Sequence, residues 1–283
     1  MKVEQILKEI GEKSEILYYA NGGNAGDSLI NMGFFHLAEK LNLKYRIINS
    51  SDISALKSSD IVVISGGGSL VPEWDSTPKV VRHIIEKEAR LVILPHSIRG
   101  IDSLMEILPS DTVLFCREEF SYNYCINMRP DLQVYIDDDM AFKCDVNKIL
   151  KAKADFKYLN SKNILRLAAF SYHTIKSKTT NEIKAFRCDK EANESVDVPR
   201  IRINDISSIA RYGAGAYEPS LYSAKKMLEI LDMYDVIYTD RLHVSVAGYL
   251  LGKEVHIYNN SYFKCLGVYK QSMSDSEKIK FYE

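Results

Sequence analysis

The chain has 283 residues, 46% of them hydrophobic and 27% charged, with a formal net charge of −1. That length suffices for two domains of ordinary size, and the composition is that of a globular protein with substantial cores. A near-neutral balance gives no support to a nucleic-acid binder, which usually carries a basic excess, so no nucleic-acid partner is expected.

In chain order, Met1 to Glu15 lacks an apolar h-region, and no signal peptide is expected. Apolar runs of strand character occupy 16–19, 45–48, 61–64, 91–94, 112–115 and 133–136. Helical patterns lie between them at roughly 28–41, 79–87, 101–108 and 118–127. Continuous apolar strands alternating with amphipathic helices predict a parallel sheet covered on both faces. Ligands of such sheets sit beyond the carboxyl ends of the strands.

Five polar loops follow those ends. They are Asn21-Gly22-Gly23-Asn24-Ala25-Gly26-Asp27, Ser65-Gly66-Gly67-Gly68-Ser69, Pro95-His96-Ser97-Ile98-Arg99, Cys116-Arg117-Glu118-Glu119 and Asp137-Asp138-Asp139-Met140. Their convergence on one edge predicts a site there. The first loop has no Walker lysine and no G-x-G-x-x-G, so it predicts a ligand loop other than an ordinary nucleotide-phosphate loop. Asp27 can cap the helix expected from Ser28, act on a ligand, or do both. Gly66 to Gly68 suit a tight turn or direct ligand contact, and His96 a packed loop residue or a ligand contact. Arg117-Glu118 reads as a structural ion pair across a helix start. Three adjacent aspartates, Asp137 to Asp139, cannot all face one ion and read as a turn with a helix cap; no essential metal is predicted.

From 145 to 163 the sequence turns lysine-rich, which predicts a junction with a short helix between domains at 1–150 and 151–283. A second α/β unit is predicted beyond it, with strands at 164–170, 235–238 and 254–258 and helices at 221–231 and 242–251. The stretch 177–217 is polar without clear periodicity, and 261–283 reads as one helix and a polar end. No internal repeat is visible, and no apolar run approaches the ~20 residues of a membrane span. The five cysteines are scattered and form no C-x-x-C pair, which argues against a disulfide framework and fits a reducing cytoplasm.

The most specific turn is Tyr238-Thr239-Asp240-Arg241-Leu242-His243-Val244. Asp240 is placed to cap the following helix, with Arg241 and His243 beside its unpaired N–H groups. That combination suits a phosphate or a carboxylate.

The N-x-G-D of Asn24 to Asp27, the triple glycine at 66–68, Leu94-Pro95-His96-Ser97, Arg117-Glu118-Glu119, Asp138-Asp139-Met140-Ala141-Phe142, Phe186-Arg187-Cys188-Asp189 and Thr239-Asp240-Arg241-Leu242-His243-Val244 occur in an order that resembles the polysaccharide pyruvyltransferase family. His96 stands where that family has glutamine, and the chain is short for the family. The resemblance implies an α/β fold of two Rossmann-like domains facing across a cleft, as in GT-B glycosyltransferases. It also implies transfer of a carboxyethylidene ketal from phosphoenolpyruvate to two hydroxyls of a sugar, with no other cofactor.

Under that implication Arg241, Leu242, His243 and Arg187 hold the donor in the C-terminal domain. Asn24, Asp27, Gly67, Gly68 and His96 face the acceptor in the N-terminal one. His243 and Asp27 are the catalytic candidates, a proton donor and a carboxylate for the hydroxyl protons. The acceptor would be a sugar of a bacterial surface polysaccharide or its undecaprenyl-diphosphate-linked precursor. A lipid-linked acceptor would bring a cytoplasmic protein to the inner face of the membrane, with the basic stretch 148–162 either touching it or forming a solvated junction. A nucleotide-sugar glycosyltransferase on the same scaffold is the alternative enzyme, and a sugar-phosphate or polysaccharide-binding regulator the alternative without catalysis.

Overall fold

A computed structural model of the protein describes residues 1–153, 164–189, 191–192 and 197–283. It is a mixed α/β fold with two sheets in which every strand pair is parallel.

The first sheet holds β1 (Ile16–Tyr19), β2 (Tyr45–Ile48), β3 (Ile61–Ile64), β4 (Gly67–Leu70), β5 (Arg90–Ile98), β6 (Val113–Cys116) and β7 (Gln133–Ile136). Its order is β2-β1-β3-β5-β6-β7, and β4 pairs with β5 beyond the end of β3. The chain reverses direction across the sheet between β1 and β3, so the loops after these two strands diverge and open a crevice. Two expected loops are extended chain instead. β5 runs on through Pro95-His96-Ser97 to Ile98, and the glycine segment is strand β4 from Gly67 onward.

One face of this sheet is covered by α3 (Ser76–Ile85), α4 (Asp102–Met105) and α5 (Glu119–Met128), whose apolar residues share a core with Leu17, Val62, Ile64, Leu91 and Ile93. The other face packs on α1 (Val3–Gly11) and α2 (Ala25–Lys40) through Ile16, Tyr18, Val63 and Val92. Helix α1 was not anticipated, although Val3, Ile6, Leu7 and Ile10 repeat at helical spacing and are all buried. Helix α2 is buried on nearly all sides, which explains its apolar composition without a polar face. At Gly33 it comes so close to the 3-10 turn Met140–Lys143 that a Cβ would lie 1.7 Å from the Met140 carbonyl oxygen.

The expected junction helix is α6 (Val146–Lys151); residues 154–163 of the lysine-rich stretch lie outside the described residues. The strand expected at 164–170 is instead the start of a helix, α7 (Ile164–Lys176). Strand β8 (Glu182–Lys184) and α8 (Ile206–Ile209) follow, then α9 (Tyr217–Asp232), β9 (Val236–Thr239), α10 (Leu242–Leu250), β10 (Glu254–Tyr258), α11 (Lys264–Ser272) and β11 (Ile279–Tyr282). The helix expected in the C-terminal stretch is α11, but the end after it is not a polar tail, because β11 pairs with β10 as an edge strand of the second sheet, ordered β11-β10-β9-β8. The inward residues Ile183, Ile237, Val255, Ile257 and Ile279 join the same core as α2, which packs on α9. Among the described residues no helix is long and apolar enough to cross a membrane.

Candidate functional site

A cavity of about 460 Å³ opens where the carboxyl ends of the two sheets meet. The loops after β1, β4, β6, β8 and β9 reach it, together with Gly68 and Ser69 of β4 itself. Its charged lining is Arg117, Arg166, Arg187, Arg211, Arg241 and Lys264 against Asp27, Asp189 and Glu191, an excess of cations suited to a polyanion.

The loop after β1 is held by its own side chains. Asn24 is the N-cap of α2, and its Oδ1 accepts the Gly26 N–H at 2.8 Å. Asp27 completes the capping box by accepting the Asn24 N–H at 2.8 Å, and Asn21 Nδ2 reaches both Asp27 (3.3 Å) and the Gly66 carbonyl (2.9 Å). Asp27 thus supports the helix, which starts at Ala25 rather than Ser28, and still faces the cavity. Two glycines make room for this arrangement. A Cβ at Gly23 would lie 2.0 Å from Asp27 Oδ2, and one at Gly26 would lie 2.8 Å from the His243 ring.

On the opposite wall Arg241 is itself the N-cap of α10, so Asp240 sits one residue too early to cap the helix. Asp240 instead accepts the Arg187 N–H at 2.8 Å and pairs with Arg200 at 2.7 Å. Arg241 donates Nε and Nη2 to the two Asp205 oxygens, both at 2.6 Å, and Nη2 also reaches Asp189 at 2.8 Å. Arg187 is held by Asp189 at 2.7 Å and by Glu191. Among the described residues the Nη1 group of each arginine makes no protein hydrogen bond. Both guanidinium forks are therefore fixed in place with donors to spare.

Lys264, at the start of α11, donates to Glu191 at 2.5 Å. Burial, with the nearby Arg187 charge, brings its ammonium down to about 8, although Glu191 opposes the shift. Glu191 itself is pushed down to about 2, because Lys264 and Arg187 outweigh a burial that alone would raise it.

Asp139 is the buried hinge of the site. Its Oδ1 accepts the Ala141 N–H at 2.8 Å, the helix cap expected from the sequence. Its Oδ2 lies 2.6 Å from Arg117 Nη1 and 3.2 Å from His243 Nε2. Burial alone would raise this carboxyl, but His243 and then Arg117 hold it well below the usual range. An ionised Asp139 can only accept, so the His243 proton stays on Nε2. The expected Arg117–Glu118 ion pair does not form. Arg117 turns to Asp139 and to Ser97 Oγ (2.9 Å), while Glu118 caps α5 at the Ser121 N–H, 2.9 Å away. Gly68 leaves space for Arg117, since a Cβ there would lie 2.8 Å from Nη2.

Of the residues expected from the sequence, Asn24, Asp27, Gly68, Arg187, Arg241, Leu242 and His243 line this one cavity. Gly67 and His96 do not. Gly67 is buried, has φ +151°, and faces Asn21, so it shapes the strand entry. His96 is fully buried in β5 with Nδ1 on the Leu94 carbonyl at 3.1 Å, and burial drives its pKa down to about 4, so it is a neutral packing residue. Sequence reasoning missed Arg117, Asp139, Glu191 and Lys264. Position after a strand end flagged the first two, while nothing local marks the last two. Among the described residues no group of three or more His, Cys, Asp or Glu side chains is placed to hold a metal ion.

The family model for polysaccharide pyruvyl transferase matches residues 3–262, nearly the whole chain. The chain belongs to that family. No curated protein matches the sequence. Among solved structures, a functionally uncharacterised protein of Klebsiella pneumoniae subsp. pneumoniae NTUH-K2044 is 29% identical, with a TM-score of 0.78 over 99% of this chain and 96% of that one. The family match ends at residue 262, so Lys264 and α11 lie just beyond it although they complete the wall of the cavity.

Proposed function

We propose that this pyruvyl transferase takes phosphoenolpyruvate as donor. The product would be a carboxyethylidene ketal on a sugar of a bacterial surface polysaccharide or its lipid-linked precursor. The observation that carries the reading is the pair of fixed guanidinium forks, Arg187 and Arg241, with Lys264 at one cavity beside the N-terminus of α10. A donor with a phosphate and a carboxylate on one carbon needs at least two such cationic holds. The two halves, 1–150 and 151–283, then act as Rossmann-like domains in a GT-B-like arrangement, the second holding the donor and the first the acceptor. No metal or further cofactor enters the reaction.

In this account His243 is kept by Asp139 with its proton on Nε2, which leaves Nδ1, on the Gly26 side, to exchange protons with the substrate. The donor methylene gains a proton and becomes the ketal methyl group. A sugar hydroxyl adds to the neighbouring carbon, the bond to phosphate breaks, and a second hydroxyl closes the ring. Of the two hydroxyl protons lost, one balances that methyl group and the other leaves on phosphate. Asp27, across the cavity, takes the hydroxyl proton. The reaction uses soluble phosphoenolpyruvate, which goes with a cytoplasmic site.

The test is to incubate the protein with phosphoenolpyruvate and candidate glycans, following phosphate release and the ketal methyl signal by NMR. The reading expects both to appear together, and only with an acceptor. Phosphate without a ketal would indicate a phosphatase and contradict it.

A further inference from the structure

Helix α7 presents an apolar stripe to solvent. Ile164 is 61% exposed, Leu167 36%, Tyr172 39% and Ile175 68%, at helical spacing along one face. The opposite face is tied into the fold. Ala169 is buried, His173 bonds the Tyr234 hydroxyl at 2.8 Å, and the helix packs on α9. A stripe of this length on an isolated helix face marks an interaction surface rather than scattered exposure.

Charge says what kind of surface it meets. From 148 to 178 the sequence has eight Lys or Arg and a single acidic residue, Asp155, in a chain whose net charge is −1. Lys151, Lys153 and Lys178 are exposed at the two ends of this region. Arg166, on the same helix, lines the catalytic cavity and lies over the Tyr212 ring. The helix that carries the stripe on its outer face thus reaches the cavity with its inner one.

We infer that α7 lies in the interface of an anionic phospholipid surface, with Ile164, Leu167, Tyr172 and Ile175 inserted and Lys178, exposed just past the end of the helix, against the headgroups. This placement would bring a helix that borders the cavity to the bilayer. It rests on the pyruvyl transfer reading only for its use, which is to meet a lipid-linked acceptor where it resides.

The test is co-sedimentation of the full chain with vesicles of equal parts phosphatidylglycerol and phosphatidylcholine, and with phosphatidylcholine alone. Wild type is expected to bind the anionic vesicles only and to release at high salt. The double variant Ile164→Glu, Ile175→Glu should lose at least about tenfold in bound fraction. Both positions are exposed, so its unfolding midpoint should stay at that of the wild type. No binding by wild type, or equal binding by the variant, overturns the inference. So does a wild-type dimer that the variant splits, which would assign the stripe to a second copy of this chain. Phosphoenolpyruvate binding measured without vesicles keeps the two readings apart. Its absence would strike the donor assignment, while the vesicle result would still decide the role of α7.

Discussion

Asp139 Oδ2 lies 3.2 Å from His243 Nε2 and 2.6 Å from Arg117 Nη1, so one buried oxygen joins a histidine in the first turn of α10 to an arginine just after β6. A carboxylate in that position fixes the imidazole tautomer and its direction. Asp139→Asn keeps the shape but can offer His243 an N–H where it needs an acceptor. It should lower kcat by about a hundredfold or more, with KM for phosphoenolpyruvate nearly unchanged. Steady-state kinetics decide the point, and a loss confined to KM would show that Asp139 serves binding instead.

Lys264 makes donor binding depend on pH. Its folded-state value of about 8 lies below the ordinary 10.5, so the free protein sheds this charge as pH rises through about 8. Phosphoenolpyruvate, already fully ionised there, should bind more weakly from that point upward. Calorimetric titrations across the range should show the weakening in wild type, while Lys264→Met should bind less tightly below about pH 8, approach wild type above it, and so flatten the profile.

Glu191 makes stability depend on acid. Its folded value of about 2 lies below the ordinary 4.5. Its stabilisation is therefore fully present above about 4.5 and is lost as pH falls toward 2. That amounts to about 3 kcal/mol at neutral pH. Urea unfolding of wild type and Glu191→Gln should differ most above pH 4.5, and the difference should shrink steadily below it.

Two glycines separate catalysis from folding. Gly33→Ala would press a methyl group into the Met140 carbonyl, 1.7 Å from the Cβ position, and should destabilise by about 1–3 kcal/mol or more. Gly26→Ala meets a side chain rather than backbone, the His243 Cβ and Nδ1 both at 2.8 Å, and by displacing that histidine should cost about tenfold in rate with a smaller change in stability. Thermal unfolding together with kcat for each variant gives the comparison.

The strand-to-helix rhythm was legible because β1 and β3 are short apolar runs, while β10 shows a strand's alternation, Val255 and Ile257 against Glu254 and His256. The same rule misread α7. Its exposed stripe adds Ile164, Leu167 and Ile175 to the residues facing the core, so the segment looks apolar throughout and hides its helical period. At β11, Lys280 alternates with Ile279 and Phe281, a strand pattern that the charged neighbours obscured. Within the site, residues set directly after strand ends, such as Asn24, Asp27, Arg241 and His243, could be placed from local sequence. Lys264 and Glu191 could not, because they meet only through the packing of α11 against the loop after β8. His96 illustrates the reverse case, a polar residue in an expected loop that the strand buries instead.

The donor assignment is the centre of this account, and a thermal-shift titration tests it most directly. Wild type and Arg241→Lys would be titrated with phosphoenolpyruvate and with UDP-, GDP- and CMP-sugars. The lysine variant keeps a charge beside Asp205 but loses the fork that reaches both of its oxygens. Phosphoenolpyruvate alone should stabilise the wild type, by about 2.7 kcal/mol at a hundredfold excess over its dissociation constant, and much less in the variant. Stabilisation by a nucleotide sugar, with none from phosphoenolpyruvate, would contradict it.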